Sequence, residues 1–149
     1  MAHGLQLLRS AALGTPQCPA RQRFSVLFQF CFDEVHLRYA AASFAAPQSF
    51  IAPLHCLLLL AKVFQYKPED QRGPVEPFCA AISPTLLQTL QQSLQQPFTP
   101  AIADIQLIVT KIFFSLTMFS LPHYFRVADT LGVWLQALLA ISRELRALK

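Results

Sequence analysis

The sequence predicts an all-α protein made of antiparallel helix pairs, and three observations carry that prediction. Apolar residues recur at three- and four-residue steps from Ser83 to Leu145, Pro84, Pro100 and Pro122 punctuate the stretches, and almost no loop separates them. Short connections force neighbouring helices to run antiparallel.

In chain order, Phe50 to Tyr66 reads as a helix, less regular than those after it, with Leu54, Leu57, Leu58, Leu60, Ala61 and Phe64 as its apolar residues. The segment from Tyr66 to Pro74 follows, containing Lys67, Pro68, Glu69, Asp70, Arg72 and Gly73. Two prolines and a glycine among charges make it a solvated connector. Next, Ser83 reads as an N-cap with Pro84 at the first helical position, Leu86, Leu87, Leu90 and Leu94 on one face and Gln88, Gln91, Gln92 and Gln95 on the other. Val75, Phe78 and Ile82 continue the stripe upstream, and Pro77 and Pro84 are expected to make this part a separate short turn or a kinked lead-in, because an interior proline costs about 3 kcal/mol.

The following helix is the most legible. Thr99 is a capping residue, Pro100 suits the first helical position, and Asp104 lies near the positive end of the dipole. Its stripe comprises Ile102, Ile105, Ile108, Val109, Ile112, Phe113, Leu116 and Phe119, with Gln106, Lys111, Ser115 and Thr117 falling between them and Leu121-Pro122 as the stop. A last helix is predicted from about Tyr124 to Leu145, with Val127, Leu131, Trp134, Leu135, Leu138, Leu139, Ile141 and Leu145 as its stripe. Arg143 and Arg146 sit near its C-terminus, where cations are favoured.

The unit from Pro84 to Leu121 approaches the roughly 40-residue period of HEAT-type repeats, in which helix pairs bury little alone and rely on stacked neighbours. Residues 47–149 are therefore expected to form HEAT-like repeats of an α-α superhelix, an armadillo-type solenoid. Residues 1–46 are expected to be irregular: Gly14, Pro16 and Pro19 precede a dense apolar run, Phe24 to Phe32, whose lack of period leaves strand and short buried helix both open. Arg9, Arg21 and Arg23 occur without an early acid, but Met1 to Leu13 lacks the apolar core and small-residue cleavage site of a targeting peptide. A mis-set start or translated intron is the expectation for this segment.

A family resemblance rests on Phe64, Tyr66-Lys67-Pro68-Glu69, Arg72 and Pro74, followed by Lys111-Ile112-Phe113, Leu116, Leu121-Pro122 and Trp134-Leu135. In order and spacing these resemble the N-terminal half of the importin-β superfamily of nuclear transport receptors, the karyopherins, in the importin seven and importin eight branch, over about Leu57 to Glu144. The resemblance implies a HEAT superhelix that imports proteins into the nucleus, binds a cargo protein and the GTPase Ran, passes FG-repeat nucleoporins, and shuttles between cytoplasm and nucleus. Nothing before about residue 50 matches, and the formal charge of +4 departs from an acidic family. A fragment of a longer receptor is expected on both counts, and no residue is assigned to Ran or cargo contact.

Other classes find less support. Hydrophobic residues make up 54% of the chain and charged ones 13%, against about a quarter charged in ordinary soluble domains, so either helix faces lack their neighbours or a membrane covers them. A small helical membrane protein is the alternative reading, resting on Ile105 to Leu121 and Leu131 to Ile141, both shorter than the ~20 residues a span needs. Lys111 near the centre of the first would cost about 2.5–3.5 kcal/mol. An enzyme is not expected. His3, His36, His55 and His123 have no metal-ligand spacing among themselves or with Cys18, Cys31, Cys56 and Cys79, and no phosphate-cradling glycine loop or nucleophile motif occurs, so no catalytic, cofactor or metal residue is assigned. His55-Cys56 reads as part of an apolar helix, with reduced thiols throughout. Lys62, Lys67, Arg72, Arg143, Arg146 and Lys149 are too dispersed to form a nucleic-acid stripe.

Overall fold

The computed structural model describes residues 18–64, 75–118, 120–127 and 129–148, with side chains described from Val26 onward. The charged connector and the first 17 residues lie outside them. All regular structure among the described residues is helical, apart from one isolated bridge between Ser43 and Ala46. The helices are α1 (Cys18–Ala40), a 3-10 turn (Pro47–Phe50), α2 (Ile51–Lys62), α3 (Val75–Ser93), α4 (Pro100–Thr117), α5 (His123–Val127) and α6 (Thr130–Ala147).

The helices pack pairwise: α1 lies against α2, α2 chiefly against α4, and α3 against α4, α5 and α6, with α5 also on α6. Aromatic side chains fill the space between α1 and α3. Phe78 meets Phe28 and Phe32 at ring-centroid distances of 5.7 and 5.5 Å, edge to face in both cases. The Tyr39 hydroxyl completes the junction, donating to the Thr85 carbonyl at 3.2 Å and bonding the Thr89 hydroxyl.

Helix α1 settles the ambiguity of the apolar run. Phe28, Phe32, Val35 and Tyr39 recur at helical steps and are buried, but Val26, Leu27, Phe30 and Leu37 are exposed. A helix apolar on opposite faces hides its own period, which is why the run reads as patternless. In place of an irregular segment, residues 18–40 form one helix packed into the core.

Three further boundaries differ from the sequence reading. Helix α3 runs through Pro84 unbroken, with Pro84 exposed on its surface. Ser83 is therefore an interior residue rather than a cap, and its hydroxyl is buried without a hydrogen-bond partner. Phe78, Cys79, Ile82, Leu86 and Leu90, all buried, hold the helix together across the hydrogen bond that proline cannot donate. The last helix is split: Asp129 adopts a left-handed backbone with φ 50°, separating α5 from α6. Helix α4 stops at Thr117, four residues before Leu121, while its start is as expected, Thr99 Oγ1 accepting from Ile102 N at 3.3 Å ahead of Pro100.

Candidate functional site: an apolar groove between α4 and α6

Helix α6 is apolar on an exposed face as well as on its packed one. Trp134 and Ala137 are buried as its packing requires, but Leu135, Leu139 and Leu145 are 48, 60 and 49% exposed. On α4 the buried side carries Ile102, Ile105, Val109, Ile112, Phe113 and Leu116, and the opposite side exposes Leu107, Phe114 and Met118. These residues satisfy helical periodicity without finding a core. They are apolar surface on a folded protein, exposed on both α4 and α6.

The two helices touch at Phe113, whose ring packs on Trp134 of α6 at 5.3 Å and on Phe125 of α5 at 5.7 Å. Away from that contact a groove of about 240 Å³ opens, lined by Phe98, Ala103, Gln106, Leu107 and Thr110 on one wall and Leu138, Ile141 and Leu145 on the other. A second hollow of about 300 Å³ adjoins it along Leu138, Ile141, Ser142, Leu145 and Arg146. Lys111, Arg143 and Arg146 are exposed on these two helices, as is Asp104.

The groove floor holds one polar group that sequence reasoning misplaces. Helical spacing puts Gln106 on the wet side of α4, yet it is 4% exposed, and its amide donates to the buried Ser93 hydroxyl at 3.1 Å. Ser93 in turn donates to the Leu90 carbonyl at 2.6 Å. This chain of bonds ties the end of α3 to α4 and satisfies a polar side chain beneath an apolar surface. No sequence signal announces it, because Gln106 has a glutamine's ordinary helical spacing.

The groove lining is Phe, Ala, Leu and Ile with the polar side chains of Gln106 and Thr110. Among the described residues no group of three or more His, Cys, Asp or Glu side chains is placed to hold a metal ion. His55 and Cys56 lie in the apolar helix α2 as expected, but His55 is exposed on its surface and Cys56 is half-buried. Burial raises the Cys56 thiol and the Cys31 thiol above their ordinary values, which disfavours the thiolate. Both lie on α1 and α2, outside the groove. What the site offers is a shallow apolar hollow with charged residues around it, able to accept an apolar side chain or helix ridge.

No family model, no curated protein and no solved structure matches this chain.

Proposed function

We propose that the chain is a segment of an importin-β-type receptor, a HEAT-like solenoid scaffold that serves protein import into the nucleus. The observation that carries the reading is the pairwise packing, α1 on α2, α3 on α4, α2 on α4 and α3 on α6, which is how repeated helix pairs stack. Leu107, Leu139 and Leu145 are exposed on α4 and α6, as apolar faces that take a stacked neighbour would be. In the complete receptor the partners would be a cargo protein, Ran in its GTP state and FG-repeat nucleoporins, with residence in both nucleus and cytoplasm.

Of those partners, the groove suits the phenylalanine of an FG repeat best. Its walls are Phe98, Leu107, Leu138, Ile141 and Leu145, and its volume of about 240 Å³ admits a benzyl side chain. The test is binding of a fluorescent FG-repeat peptide to the full chain against the same peptide with serine replacing every phenylalanine. Saturable binding of the first alone, lost in Leu107→Asp and Leu145→Asp, supports the reading. Equal binding of both peptides, or of neither, contradicts it.

A membrane protein is the second reading, and one observation favours it: α4, Pro100–Thr117, is long and apolar enough to cross a bilayer by length and composition. More than half of that helix is buried inside the protein, and the buried part includes Gln106 and Ser115. A core helix passes the same test. Extraction of the expressed chain by alkaline carbonate separates the two, since a scaffold is released and a spanning helix is retained.

A further inference from the structure

Two exposed stripes on different helices share one spacing. On α1 it is Val26, Phe30, Asp33 and Leu37, and on α4 and its C-cap it is Leu107, Lys111, Phe114 and Met118, each with steps of four, three and four along the helix. The apolar members are 71, 65 and 68% exposed on α1 and 51, 54 and 45% exposed on α4. Asp33 and Lys111 are exposed too. Each stripe is therefore three apolar side chains and one charge, and the charges have opposite sign.

The register in which the stripes fit is antiparallel. Laid that way, Val26 meets Met118, Phe30 meets Phe114, Asp33 meets Lys111 and Leu37 meets Leu107, so that every apolar residue faces another and the two charges face each other. Laid parallel, Lys111 would face Phe30 and Asp33 would face Phe114, burying each charge against a ring without its counter-ion. Two α1 stripes laid antiparallel would press Asp33 on Phe30. The Asp33 carboxylate is also held in place, accepting from Gln29 Nε2 at 2.8 Å one turn away.

We propose that the occupant of the exposed α4 face is a second copy of this chain, its α1 lying antiparallel on α4 with Asp33 and Lys111 paired at the centre of an apolar seam. The two faces lie on different helices of one molecule, so the contact is heterologous: each copy receives one neighbour on α4 and offers α1 to another. Association then proceeds stepwise to a row or a ring instead of halting at an isologous pair. This goes beyond the transport reading and depends on none of its partners.

Sedimentation equilibrium of the full chain, with the reversals Asp33→Lys and Lys111→Asp, tests it. The wild-type average mass should rise with concentration above the 16.7 kDa of one chain. Either reversal alone sets like charges opposite each other and should weaken association by about tenfold. An equal mixture of the two variants should recover it, because every contact between unlike copies again pairs one cation with one anion. Far-UV circular dichroism of each variant should match wild type, both positions being exposed. A wild-type chain that stays monomeric overturns the proposal, as does a mixture that fails to recover. Sensitivity to Lys111→Asp without sensitivity to Asp33→Lys also overturns it, and would point to an α4-on-α4 pair or another protein's helix.

Discussion

The carboxylate of Glu76, in the first turn of α3, caps the helix that begins at His123: Oε1 accepts from His123 N at 2.6 Å and Oε2 from Tyr124 N at 2.9 Å. Two orphan donors of α5 are satisfied by one side chain 47 residues earlier. The negative group also sits at the positive end of that helix. Pro122 just before supplies the fixed backbone from which it starts.

Glu76→Ala is accordingly expected to cost about 1–2 kcal/mol, read as a lower urea midpoint with unchanged slope. Glu76→Gln keeps one acceptor and should cost less than Glu76→Ala. No loss at all in Glu76→Gln would mean that the bonds contribute nothing beyond packing.

Tyr39 gives the chain a pH-dependent stability. Its phenol is pushed up to about 12 by burial, partly opposed by the hydrogen bond with Thr89. Unfolding returns it to about 10, so the unfolded chain releases the proton first as pH rises. Stability from the neutral phenol is whole below pH ~10 and is lost between pH ~10 and ~12, by about 2–3 kcal/mol in all. Tyr39→Phe should cost about 1 kcal/mol at neutral pH through lost hydrogen bonds and lack that slope, so that the two stability curves cross at high pH. Parallel curves from pH 8 to 12 would contradict the burial of the phenol.

The aromatic stack and the groove wall should respond in opposite ways. Phe113 is fully buried between Phe125 and Trp134, and Phe113→Ala is expected to cost about 3–5 kcal/mol. Leu145→Asp, on the groove wall and half-exposed, should shift stability by no more than about 0.5 kcal/mol while reducing binding of a hydrophobic dye. Thermal melts with dye titration check both.

Asp129 and Gly132 should be coupled. A Cβ on Gly132 would lie 2.6 Å from Asp129 Oδ1, so glycine is what lets that carboxylate rest over the first turn of α6. Gly132→Ala alone should gain little, because displacing the carboxylate offsets the added helix propensity. With Asp129→Gly in place, which also relieves the left-handed backbone, Gly132→Ala should gain about 1 kcal/mol. Additive effects in a double-mutant cycle would contradict the contact.

Much of the fold was legible because local chemistry and packing agree there. Thr99 and Pro100 start α4 where a cap and a first-position proline belong, and the stripe from Ile102 to Leu116 is buried. Illegible were the places where tertiary packing overrides a local rule. Pro84 fails to stop α3 because Ile82 and Leu86 on either side are locked into the core, and the break at Asp129 carries neither proline nor glycine at the break itself. The groove was half visible. Leu138, Ile141 and Leu145 form one stripe in the sequence, but only the fold tells that their side meets open space, since periodicity reports that a face is apolar and not what covers it.

Hydrogen exchange read by mass spectrometry, on the full chain with and without an FG-repeat peptide, is the decisive experiment for a protein-binding scaffold. New protection is expected to be confined to residues 103–118 and 135–148, on the two groove-forming helices, with α1 and α2 unchanged. Protection that is absent, that spreads over the whole chain, or that appears on α4 and α6 only when lipid micelles are added would overturn that reading.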